Sequence, residues 1–267
     1  MPAPNFIGAW RYRHFILSSI RTEFRARFAR SKLGGLWMII HPLAQAAIFA
    51  LVLAEVVGVR MPGAVAGNRF AYAMYLLSGM LGWSLFSEIV TRCLTVFIDN
   101  GNLLKKMLFP RINLPLIIAG SALINNILLL LATLVVFGLV GHVPGRQFAW
   151  MPILIVLTMA LGLGIGLLLG VFNVFIRDVG QVVPIALQLG FWFTPIVYTS
   201  DVVPQRLREL LHLNPMTAIV QSFQNAMLFD RPPAFASLAW IFLIALVLMT
   251  AALALFRRAS GEMVDVL

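Results

Sequence analysis

Long apolar runs dominate the chain, parted by short polar stretches in which Arg, Pro and Gly collect. About 20 apolar residues suffice to cross the roughly 30 Å hydrocarbon core of a bilayer as a helix. Runs of that kind fall at about 33–57, 70–91, 115–140, 150–172, 182–200 and 236–256, and predict six membrane-spanning helices. Pro42 marks a kink in the first, Pro115 suits the first turn of the third, and Pro184 and Pro195 interrupt the fifth. The fourth carries Gly162, Gly164, Gly166 and Gly170, a spacing of small residues that lets helices approach closely.

Three stretches follow a different pattern. In 9–32, Leu17, Ile20, Phe24 and Phe28 share one helical face, with Arg21, Arg25 and Lys32 on one flank of that stripe and Arg13 and Arg27 on the other. Such a helix lies in the bilayer interface rather than across it. The stretch 92–114 is polar and basic and holds a short amphipathic piece at 102–109, stopped by Pro110. The region 201–235 has an amphipathic piece at 204–213, then Asn214 and Pro215, then an apolar piece at 216–229. It is too apolar to float free and too broken to span, which predicts two short helices dipping back into the membrane.

Composition excludes the alternatives to a membrane protein. Of 267 residues, 61% are hydrophobic and 11% charged, and the mean hydropathy is +0.93. Soluble domains have about 45–50% apolar and about 25% charged residues, so a soluble enzyme is excluded. Little length is left for a second soluble domain, and 1–267 is expected to be a single transmembrane domain. The formal net charge of +10 suggests nucleic acid in a soluble protein; here the enrichment of Lys and Arg on cytoplasmic flanks accounts for it. With six spans, fourteen Lys and Arg fall on the side of the termini and six on the other, which places both termini in the cytoplasm. Trp10, Tyr12, Trp37, Tyr72, Tyr75, Trp150, Tyr198 and Trp240 lie near expected span ends, as interfacial aromatic belts do; Trp83 and Trp192 lie near mid-membrane. The single cysteine, Cys93, excludes an internal disulfide and a Cys-based metal cluster. The opening residues lack the pattern of a cleaved signal peptide, and none is expected.

Catalytic chemistry is not evident. No lysine follows a glycine, so there is no phosphate-binding loop of the G-x-x-x-x-G-K-[ST] type. His14, His41, His142 and His212 are scattered, and no metal site is expected; His41, beside Pro42, reads as helix packing before it reads as a site residue. Glu55 and Glu88 are the acidic residues within spans, both near ends, where function and simple access to water are equally good readings. A proton- or ion-coupled carrier needs carboxylates at depth, so the energy for transport is expected from elsewhere. The segment 102–111 sets Leu103, Leu104, Met107 and Leu108 beside Lys105, Lys106 and Arg111. A solvated loop has no use for so much apolar surface; the helix is expected to dock in a groove of a soluble partner, or else on lipid headgroups.

Five segments in order, RTEFRARFARSKLGGLW at 21–37, NLLKKMLFPR at 102–111, FNVFIRDVGQ at 172–181, FWFTPIVY at 191–198 and LNPM at 213–216, give the chain a likeness over almost its whole length. It resembles the membrane subunits of ABC transporters that export lipid-linked polysaccharides, above all the O-antigen permeases of Gram-negative bacteria, with teichoic acid and capsule permeases as relatives. The resemblance implies an all-α integral membrane fold of the ABC-2 exporter type, with six spans, an N-terminal interface helix, a cytoplasmic coupling helix and short periplasmic re-entrant gate helices. It implies a homodimer in the bacterial inner membrane, paired with two copies of a separate ATPase that binds Mg-ATP; this chain carries no cofactor. The implied substrate is an undecaprenyl-pyrophosphate-linked glycan moved from cytoplasm to periplasm.

On that reading Arg21, Arg25, Arg27, Arg30 and Lys32 await the pyrophosphate head at the cytoplasmic rim, since the guanidinium fork grips phosphate oxygens. Anchoring to anionic lipid uses the same physics. Trp83, Phe86, Trp192 and Phe193 are the aromatic candidates for a sugar passage, with core packing as the alternative. Asn102, Leu103, Leu104, Lys105, Lys106, Pro110 and Arg111 form the coupling contact, and Arg177 with Asp178 is a second contact or a local ion pair. Two other readings stay open: a permease of the same fold for another lipid-linked glycan or a small amphiphile, and a membrane enzyme acting on lipid-linked sugars, for which no acid–base constellation is found.

Overall fold

The computed structural model describes residues 14, 17–22, 36–52, 70–101, 113–259 and 262–263. Helix is the regular secondary structure of the described residues, with no strand among them. The longer helices are α1 (Trp37–Ala50), α2 (Ala71–Asp99), α3 (Asn113–Leu139), α4 (Met151–Phe175), α5 (Val179–Trp192), α6 (Gln205–Leu213), α7 (Pro215–Gln224) and α8 (Phe235–Ala259). Among the described residues, four segments are long and apolar enough to cross a membrane: Ala71–Asp99, Asn113–Leu139, Arg146–Phe175 and Phe235–Ala259. The coupling segment 102–109, most of 9–32 and the loop at 58–69 lie outside the described residues.

The core is centred on α2. Its residues are buried over most of its length, against α4 on one side and α1, α3 and α7 on others. The glycines of α4 make the tightest of these contacts. A Cβ at Gly166 would meet Cys93 Cβ at 2.8 Å, and one at Gly170 would fall on the Cys93 carbonyl itself, so only glycine lets the two backbones lie this close. The other face of α4 carries α8, which buries Leu238, Ile241, Ala245 and Ala252 along one stripe. The opposite face of α8, with Trp240, Phe242, Leu243 and Val247, is exposed, as befits a helix bordered by lipid. The helical piece at 17–22 turns Ile20 directly onto Gly120 of α3, while Leu17 and Arg21 stay exposed.

Two helices depart from the expected spans. α2 runs past 91 to Asp99, so Arg92 stands in the helix rather than in a loop. The extension buries Cys93, Leu94, Val96 and Phe97, and Arg92 Nη1 lies 3.3 Å from Oε1 of Glu88, one turn earlier, a spacing that supports the helix. α5 stops at Trp192, short of 200. Fourteen residues rise only about 21 Å, less than the roughly 30 Å core. Pro184 is carried within the helix, but Pro195 has no N–H to give and biases Thr194 away from helical geometry.

The non-helical turn after Trp192 is buried at 194–197, and its carbonyls are taken up by side chains from elsewhere. The Tyr72 hydroxyl donates to Val197 O at 2.5 Å. Tyr75 donates to Pro195 O at 3.0 Å and Tyr198 O at 2.9 Å. Gln224 Nε2 donates to Pro195 O at 3.1 Å and Asn214 Nδ2 to Phe193 O at 3.2 Å. Irregular backbone is tolerated at membrane depth only when satisfied by protein in this way. Tyr72 and Tyr75 are therefore buried structural donors, not the belt residues expected from their place in the sequence.

The region 201–235 forms two short helices with a break at Asn214. Its Oδ1 accepts from Met216 N at 3.0 Å, and Pro215 opens α7, a regular N-cap followed by proline at the first position. A single π turn, Asn225–Phe229, follows, and the chain then reverses at Asp230 in a left-handed conformation, φ 47°. Asp230 Oδ1 accepts from Gln147 N at 2.9 Å, and His142 Nε2 lies 3.0 Å from Met227 O. These contacts tie the loop between α3 and α4 to the end of the 201–235 region.

Candidate functional site: a cavity with aromatic and polar walls

Helices α1, α2, α3 and α5 line an open cavity of about 890 Å³, within the range of small-molecule pockets, about 300–1,000 Å³. Its aromatic part is a chain of rings from three helices. Phe49 of α1 meets Phe191 at 6.1 Å and Trp192 at 6.2 Å between centroids; Phe191 meets Trp83 of α2 at 5.9 Å. Gly190 makes room for this arrangement, since its missing Cβ would sit 3.1 Å from the edge of the Trp83 indole.

The polar part comes from α2 and α3. Glu88 Oε1 receives Arg92 Nη1 and also Asn125 Nδ2, the latter at 2.6 Å. Asn126 Nδ2 donates to Leu81 O at 2.9 Å. The Oδ1 atoms of Asn125 and Asn126 are buried and receive no hydrogen bond among the described residues. A buried acceptor left unmade costs about 1–3 kcal/mol, and both belong to residues that line the cavity. Polar groups at depth in a membrane helix mark functional positions more often than packing ones.

The residues expected from the sequence divide. Trp83 and Trp192 both line the cavity, linked through Phe191. Phe86 is buried and packs on Trp83 at 5.8 Å without joining the lining. Phe193 is 62% exposed and does not join the lining. His41, read first as a packing residue, is exposed and borders the cavity. Arg177 and Asp178 are exposed in the turn between α4 and α5 and do not pair with each other. Arg21 is exposed. Arg25, Arg27, Arg30, Lys32, Asn102, Leu103, Leu104, Lys105, Lys106, Pro110, Arg111 and Glu55 lie outside the described residues. Among the described residues, no cluster of His, Cys, Asp and Glu is arranged to hold a metal.

Sequence reasoning passed over Gln45, Phe49, Asn125, Asn126, Gln188 and Phe191. The signal for four of them was present. A carboxamide in an otherwise apolar run, as in LINNIL at 123–128 or IALQLG at 185–190, is costly unless it meets a partner or water.

A family model described as ABC-2 type transporter matches residues 15–228. Among curated relatives, an "O-antigen export system permease protein RfbA" of Myxococcus xanthus is 28% identical over 258 residues, 96% of each chain. A protein of the same name from Klebsiella pneumoniae is 26% identical over 249 residues, 92% of each. The "Polysialic acid transport protein KpsM" of Escherichia coli is 26% identical over 246 residues, 90% of this chain and 92% of the relative.

Proposed function

This chain belongs to the ABC-2 type transporter family, and from that premise we propose that it is the permease subunit of a polysaccharide exporter. It passes an undecaprenyl-pyrophosphate-linked glycan of the O-antigen type from cytoplasm to periplasm. The observation that carries the reading is the cavity, which pairs a chain of aromatic rings with carboxamides and hydroxyls inside an apolar bundle. Flat ring faces take the C–H faces of sugars without demanding one hydroxyl pattern. A site for a small amphiphile has no need of that many hydrogen-bonding groups. The curated relatives named for O-antigen and polysialic acid transport support the same class.

In this mechanism two copies of the chain pair in the inner membrane with two copies of a separate ATPase. The region 33–57, and α5 together with the buried turn that follows it, complete six crossings with both termini in the cytoplasm. A pyrophosphate left unpaired in hydrocarbon costs several kcal/mol or more. Arg21, Arg25, Arg27, Arg30 and Lys32 receive it at the cytoplasmic rim. Closure of the ATPase pair on ATP pushes the 102–111 segment and rocks the spans, opening a passage beside the aromatic wall. Work for each cycle comes from the partner, so the purified chain alone should hydrolyse no ATP while the complex does; robust turnover by this chain alone refutes the arrangement. Lys105→Glu with Lys106→Glu should reduce co-purification of the ATPase at least fivefold with membrane insertion unchanged, and undiminished assembly refutes the coupling role.

A further inference from the structure

Four polar side chains in the cavity lining, His41 and Gln45 on α1, Thr91 on α2 and Gln188 on α5, have no hydrogen-bond partner among the described residues. His41, Thr91 and Gln188 are exposed and Gln45 is half-buried. The two glutamines are placed alike. Gln45 stands one helical turn before Phe49, and Gln188 one turn before Trp192, so each carboxamide shares a helix face with a ring of the aromatic chain. A carboxamide brings two donors and an acceptor. That set matches a hydroxyl, which gives and receives one hydrogen bond at the same oxygen.

Charge narrows the ligand further. The fixed charges in the lining are the Glu88 carboxylate and the Arg92 guanidinium, and they neutralise one another at 3.3 Å. Among the described residues, an anionic residue entering the cavity meets no surplus fixed cation; the other ionisable side chain of the lining is the His41 imidazole. Such a residue meets ring faces, which carry the negative part of the aromatic quadrupole.

We propose that Gln45 and Gln188, each with an aromatic ring one turn away, make a subsite in each protomer that selects a neutral, hydroxyl-bearing sugar residue of the transported glycan over an anionic one. This rests on the export reading above and adds to it the chemistry of the sugar.

The test uses the full chain with its ATPase partner in nanodiscs. Saturation-transfer NMR follows the binding of cellotetraose, mannotetraose, galactotetraose and the acidic tetragalacturonate, with empty nanodiscs subtracted. At least one neutral tetrasaccharide should bind at least tenfold more tightly than tetragalacturonate. Q45L/Q188L should weaken that binding at least tenfold while the thermal midpoint of the complex holds. Q188E keeps the side-chain shape and guards against misfolding of the double variant; it should weaken tetragalacturonate more than the neutral sugar. The subsite is overturned if no neutral tetrasaccharide binds, if tetragalacturonate binds as tightly, or if Q45L/Q188L binds within twofold of wild type. Surface polysaccharide in a strain deleted for this gene separates the two claims. A wild-type chain that fails to restore it refutes the export reading itself, whereas restoration with the wrong binding pattern refutes the subsite alone.

Discussion

The block of α2, α4 and α8 and the wall formed by α1 and α5 are built from equally apolar sequence, yet they pack in opposite ways. In the first, glycines bring backbones into contact, and Cys93, Leu161 and Ala252 are wholly enclosed. In the second, helices of fourteen residues each carry an internal proline, leave most of their surface exposed and border the cavity. The difference teaches where rigidity is needed. The proposed mechanism rocks the bundle, which needs one part that keeps its shape and another whose contacts are few enough to rearrange, and low packing density marks the second kind of region.

The sharpest way to break this comparison is Gly170→Val. Its Cβ would fall on the carbonyl of Cys93, and backbone cannot yield as a side-chain tip can. The expected cost is about 3 kcal/mol or more, the upper end for overpacking, seen as loss of monodisperse protein on size exclusion. A normal elution profile and thermal midpoint would show that α4 and α2 are not locked. Trp83→Ala comes next. It should lower export roughly tenfold with a much smaller loss of stability, about 1–2 kcal/mol for a half-buried ring, and Trp83→Phe should recover most of the transport. Equal losses of transport and stability would make Trp83 a packing residue only. The smallest effect is expected at Gly138→Ala near the end of α3, where a new Cβ meets nothing within 4 Å. Relief of the glycine helix penalty should raise stability by about 0.5–1 kcal/mol with export unchanged, measured by thermal midpoint and surface glycan.

Much of the layout was legible because apolar length and proline placement are local. The reading of 115–140 meets a helix at Asn113–Leu139, and 236–256 meets Phe235–Ala259. The break at Asn214 and Pro215 follows from capping chemistry that any sequence displays. The end of α5 was misread because apolar composition continues through FTPIVY after the backbone has left the helix. The extension of α2 was missed because Arg92 looks like a loop charge until Glu88 is seen to hold it. At the site, Trp83 and Trp192 drew attention by size and depth, while Phe49 and Phe191 are indistinguishable in sequence from other core phenylalanines.

By itself the sequence determined that this is a helical membrane protein, with small residues where helices must touch, since hydropathy and residue size are properties each position carries alone. Only the tertiary structure decided that Tyr72, Tyr75 and Gln224 serve the carbonyls of a turn more than a hundred residues away for the tyrosines, and that carboxamides and rings from four helices face one space. A hydrogen-bond donor can be read from a sequence, but its acceptor is chosen by packing. In a bilayer the cost of leaving either one unpaired makes that choice specific.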